Sequence, residues 1–137
     1  MKLMALATST LVLAAGELPA ACLNTIVEEV FAPGQRLKAA LYVRQCDAAP
    51  TKEVHLSILP FTATLPDERG NTFVGEAPGL DPLDPKRIGV SLTWLSQAEL
   101  SILHGPFMVR KAAGKVGGVK LYYGHLVDTP PETWRKP

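Results

Sequence analysis

Between the chain's two cysteines, Cys22 and Cys46, lie LNTIVEEVF (Leu23–Phe31), APGQ (Ala32–Gln35) and LKAALYVRQ (Leu37–Gln45). The two flanking runs are strand-like, and Pro33-Gly34 between them is a turn signal, so an antiparallel hairpin is predicted. In the second run Leu37, Ala39, Leu41 and Val43 alternate with Lys38, Tyr42 and Arg44. That two-residue period makes a half-buried strand with the first set inward and the second outward. A hairpin centred on Gly34 pairs positions that add to 68, and Cys22 and Cys46 add to 68. The two sulfurs are therefore expected to face each other across the open end. A bridge there stabilises the domain by about 3 kcal/mol on the chain-entropy view.

The strand pattern continues outward from this hairpin. Val54–Leu59 alternates, with Val54, Leu56 and Ile58 inward and His55 and Ser57 outward, and Pro60 ends the run. Asn71–Glu76 follows a turn at Arg69-Gly70-Asn71, and in Ile88–Leu95 the residues Ile88, Val90, Leu92 and Trp94 share a face. Ser96-Gln97-Ala98-Glu99 links to Leu100–Leu103, and Phe107–Lys111 and Val119–Tyr123 complete the set. Short strands joined by turns predict an all-β fold, an antiparallel meander curled into a small sandwich or partial barrel. No segment after residue 21 carries a convincing helical period. Thr62–Arg87, with four prolines and five acidic residues, is a long connection, and connections of that length are functional or mobile.

Ahead of the hairpin, Met1-Lys2 precedes an uncharged, mostly apolar run from Leu3 to Ala15 and a turn-prone Gly16–Ala21. This is the layout of a secretory signal peptide, too short in its apolar part to span a membrane and without the polar face of a core helix. The expected organisation is a signal peptide over 1–21, one β domain over 22–128 and an extended tail over 129–137. Export to a periplasmic or secreted location favours the disulfide. The competing use of Cys22 is lipid attachment at a mature N-terminus, which would anchor the protein to a membrane. The small residues Ala20-Ala21 before Cys22 fit lipidation, whereas Pro19 stands where a leucine-like residue is usual.

Several residues in this frame resemble a family of small exported bacterial proteins of unknown function. The similar elements are Asn24 behind Cys22, the Pro33-Gly34 turn, Arg44-Gln45-Cys46-Asp47-Ala48, and Val54-His55-Leu56-Ser57-Ile58. Asn71-Thr72-Phe73-Val74 and Trp94-Leu95-Ser96 extend the likeness over about residues 22–103. Ala32, Gln45, Asp47 and Ala49-Pro50 depart from the family's Ser, Asp, Gly and paired Thr. The resemblance implies a compartment and a fold, and brings no known activity.

Chemistry-bearing patterns are sparse. With 14 basic and 13 acidic residues the net charge is +1, which excludes a strong electrostatic footprint for nucleic acid or an anionic membrane. His55, His104 and His125 are far apart in sequence and form no metal pair at strand or helix spacing, so no metal or other cofactor is expected. Gly114–Lys120 lacks the phosphate-loop spacing and reads as a hairpin turn. Asp81–Pro85 reads as a solvated turn rather than a calcium loop. The candidate binding patch is Lys38, Tyr42, Arg44 and His55, four residues on one outward face. The functional expectation is a non-catalytic exported domain that binds an envelope protein or a small ligand, touching the membrane only if Cys22 is lipidated. The alternatives are an envelope hydrolase using His55 or a loop carboxylate, and an inhibitor that inserts loop 62–87 into an enzyme.

Overall fold

The computed structural model describes residues 21–47, 51–77, 79–81, 83–84 and 88–126. The predicted signal segment and the 129–137 tail lie outside them. Among the described residues every regular element is a strand: β1 (Cys22–Phe31), β2 (Leu37–Cys46), β3 (Glu53–Pro60), β4 (Phe73–Glu76), β5 (Val90–Ser96), β6 (Glu99–His104), β7 (Met108–Ala112), β8 (Lys115–Val116) and β9 (Val119–His125). They form two sheets, ordered β1-β2-β3-β4-β7 and β5-β6-β9-β8. The sheets pack face to face as a sandwich and do not close into a barrel, in keeping with the expected all-β class.

Inward residues of the two sheets make the core. Ala39, Leu41, Val43, Val54, Leu56, Ile58 and Phe73 meet Leu100, Ile102, Val119 and Leu121, with Leu80 and Ile88 closing the sides. Phe73 is wholly buried, and a side chain of that size contributes about 1.5–3 kcal/mol by leaving water. The indole N–H of Trp94 donates to the Val30 carbonyl at 2.9 Å, tying β5 to β1 across the layers.

The first hairpin reaches its predicted pairing by an unforeseen route. Beside the turn, Phe31 pairs with Lys38 and Val30 with Ala39, so partner positions add to 69, half a residue later than a centre at Gly34. A bulge between Ile26 and Glu28 then adds one residue to β1, and from Ile26↔Tyr42 onward positions add to 68. The extra residue, Val27, packs against the core. Cys22 thereby lies directly opposite Cys46, and the two form a disulfide with an S–S distance of 2.00 Å.

The connectivity departs from a simple meander. After β4 the chain crosses to the second sheet for β5 and β6, returns to pair β7 with β4, and crosses again for β8 and β9. β9 consequently runs parallel to β6, the one parallel pairing among the described strands. Periodicity along single strands carries no information about which strands become neighbours, which is why this crossing was not foreseen. Gly117 and Gly118, with φ of 54° and 83°, form the two-residue turn between β8 and β9, as the hairpin reading of Gly114–Lys120 required.

Candidate functional site

The candidate patch occupies one face of β2 and β3, but that face is not open to solvent. Tyr42 pairs with His55 and Arg44 with Glu53 across the ladder. Tyr42 is 1% exposed, His55 0%, Ser57 3% and Lys38 7%. The expected outward, solvated face is therefore corrected to a covered one. The cover is a part of the long connection, residues 67–72, which bonds to β2 and β3 across the sheet as a strap.

Backbone groups of the strap satisfy the side chains beneath it. The Tyr42 hydroxyl donates to the Glu68 carbonyl at 3.0 Å and lies 3.3 Å from Ser57 Oγ. Gly70 N–H donates to His55 Nδ1 at 2.8 Å, and Asn71 N–H donates to Ser57 Oγ at 3.1 Å. The Asn71 side chain accepts from Ile58 N–H and donates to Ile58 C=O, each at 2.9 Å. Arg44 Nη1 donates to Asn24 Oδ1 and to Asp67 Oδ1, both at 2.8 Å. Lys38 sits apart, toward the first turn, paired with Glu29 at 3.2 Å. So the structure brings Tyr42, Arg44 and His55 together under the strap and leaves Lys38 on the same face with a different partner. Among the described residues no buried side-chain nitrogen or oxygen lacks a hydrogen-bond partner.

These contacts fix the chemistry of His55. A backbone N–H only donates, so Nδ1 must accept, and Nε2 carries the proton and donates to Glu53 Oε1 at 2.9 Å. Burial pushes the His55 pKa below its usual value, and the hydrogen bond and charge of Glu53 oppose that shift. The imidazole is thus neutral near pH 7, with both nitrogens engaged. Burial likewise raises the Tyr42 phenol. Ser57 Oγ has Tyr42 and Asn71 as its hydrogen-bond partners. A serine nucleophile needs a base in hydrogen-bond reach, and here the base is committed to Glu53 and Gly70. What this constellation does is hold the strap down.

Two openings lie at opposite ends of the sandwich. At the turn end, a cleft of about 450 Å³ is lined by the β1–β2 turn (Ala32, Pro33, Arg36), the β5–β6 turn (Gln97, Ala98) and the Gly117-Gly118 turn. At the disulfide end, a recess of about 280 Å³ is lined by Thr51, Glu76, Ala77, Pro106 and Met108. Beside that recess His104 stacks on Phe107, with centroids 5.9 Å apart, and touches Phe73 at 5.0 Å. His104 also meets His125, a neighbour that sequence spacing did not reveal because it depends on the parallel β6–β9 register. Tyr123 donates to the Ala113 carbonyl at 2.7 Å, and burial pushes its phenol up to about 12. Within the long connection, Leu83 N–H donates to Asp81 Oδ1 and Asp84 N–H to Asp81 C=O, a local turn of the expected kind.

Comparison with protein-family models, with curated proteins and with solved structures returned no match.

Proposed function

We propose that this chain is an exported, non-catalytic β-sandwich that binds a small ligand or an envelope protein through its turn-bearing end. The Cys22–Cys46 disulfide carries the reading, because such bonds persist in oxidising compartments outside the cytoplasm. Engagement of the Cys22 sulfur in that bond also favours a periplasmic or secreted protein over one anchored by a lipid on the same atom. The resemblance of residues 22–103 to exported bacterial proteins points the same way.

The place of binding follows from what is covered and what is open. The polar side chains that sequence patterning nominated are occupied by the strap, whereas the turn-end cleft presents Arg36, Gln97 and turn backbone to solvent. Its volume is in the range of small-ligand sites, and loops gathered at one end of a rigid sandwich are a common way to build them. A hydrolase built on His55 finds less support, since that ring is enclosed and both its nitrogens are used. An inhibitory use of loop 62–87 finds less support too, because residues 67–71 bond to their own sheet and Phe73–Glu76 is one of its strands.

Expression of the full chain in a bacterial host, followed by cell fractionation, tests the compartment. The proposal expects a bridged protein outside the cytoplasm, cleaved at or just before Cys22. Recovery of reduced protein from the cytoplasm with Met1 still attached would refute it. Backbone amide shifts recorded against envelope glycan and peptide fragments test the cleft. Changes should centre on residues 32–37, 97–98 and 117–119 and weaken in Arg36→Ala.

A further inference from the structure

We propose that His104 and His125 form a binding site for a borderline transition-metal ion of the Zn²⁺, Ni²⁺ or Cu²⁺ class. The parallel register sets His104 of β6 directly beside His125 of β9, on the inward side of the second sheet, at its disulfide end. Their ring centroids are 5.8 Å apart with an interplanar angle of 63°. Two imidazoles that share one metal ion, each bonded at 2.0–2.1 Å, have centroids roughly 5–6 Å apart, so the spacing accommodates a common ion.

The first ring already has the tautomer this chemistry needs. His104 Nδ1 is 2.8 Å from the Gly105 carbonyl oxygen, which only accepts, so Nδ1 carries the hydrogen and Nε2 keeps its lone pair. An imidazole that donates one N–H to a backbone carbonyl while its other nitrogen faces a metal is the usual arrangement in metalloproteins. Stacking on Phe107 and contact with Phe73 hold the ring in that pose. His125 is exposed and gives an ion a route in from solvent. Among the described residues no third histidine, cysteine or carboxylate joins the pair. Solvent must fill the other positions, which makes an exchangeable site rather than a structural one. Imidazole ligands select the borderline ions over Mg²⁺ or Ca²⁺.

Titration calorimetry of the untagged full chain with Zn²⁺, Ni²⁺ and Cu²⁺ at pH 7.5 tests the site. One equivalent of at least one of these ions should bind in the wild type. His104→Gln and His125→Gln should each weaken binding at least tenfold. His125 is exposed, so its variant keeps the fold. If His104→Gln does not fold, the movement of the His104 Nε2 resonance in wild-type protein on adding Zn²⁺ replaces that arm. No one-to-one binding in the wild type, or binding that survives either substitution or leaves the His104 resonance in place, overturns the assignment.

Discussion

Gly70→Ala isolates the strap from the rest of the fold with a single methyl group. A Cβ at Gly70 would stand 2.8 Å from the Leu56 carbonyl oxygen, 3.0 Å from the Leu56 nitrogen and 3.0 Å from the Phe73 carbonyl oxygen. All three are backbone atoms, so no rotamer change relieves the contact. Either β3 and β4 part or the strap lifts. Overpacking of this kind costs about 1–3 kcal/mol. A lifted strap also weakens the Gly70–His55 bond and the 3.0 Å bond from Thr72 N–H to Leu56 C=O, each contributing about 1 kcal/mol. Gly70 has no positive φ, so alanine removes unfolded-state entropy here and returns about 0.4–1 kcal/mol. The net expectation is a loss of about 2–3 kcal/mol. Urea denaturation at pH 7.5 measures it, with Gly114→Ala as the control, since a Cβ at Gly114 meets nothing within 4 Å. Trypsin should also cut faster at Arg69, which the strap carries. A Gly70→Ala protein as stable as the Gly114→Ala control would show that the strap does not lie on the sheet as described.

Three further outcomes are expected. Because the His55 pKa is lowered in the folded state, the unfolded chain takes up the proton first, so stability is complete above about pH 6.5 and falls as pH drops below it. The slope approaches about 1.4 kcal/mol per pH unit for one proton and should vanish in His55→Gln; urea curves at pH 8, 6 and 5 measure it. Tyr123 is shifted upward, so its contribution is complete below about pH 10 and is lost as pH rises through its folded value of about 12. Absorbance titration should show late ionisation from the buried phenols of Tyr42 and Tyr123, and Tyr123→Phe should remove one of the two. Trp94→Phe removes the indole donor to Val30 and should lower stability by about 1 kcal/mol in thermal unfolding, with little change in the disulfide.

The inward residues of the sandwich were legible because period-two patterning is a property of each strand alone. Leu41, Val43, Val54, Leu56 and Ile58 are buried where alternation placed them. The opposite face of β2 and β3 was misread for a related reason. Lys38, Tyr42, Arg44, His55 and Ser57 are polar, and polarity indicates water unless other groups satisfy them. Here strap backbone groups satisfy Tyr42, His55 and Ser57, Arg44 bonds the Asn24 and Asp67 side chains, and Lys38 pairs with Glu29. No local pattern announces such distant partners. The cysteine pairing was legible, although a later turn centre and the Val27 bulge offset each other in producing it. The His104–His125 neighbourhood was not, since it arises from two crossings between sheets.

Cys22 and Cys46 close the first hairpin, and the proposed export rests on that bond. Non-reducing peptide mapping of the protein recovered from its own compartment, with free thiols alkylated first, tests it most directly. After trypsin, the peptide ending at Arg36 and the peptide Gln45–Lys52 should run as one linked species that separates only on reduction. Both cysteines alkylated in the native protein, or a lipid mass on Cys22, would contradict the account.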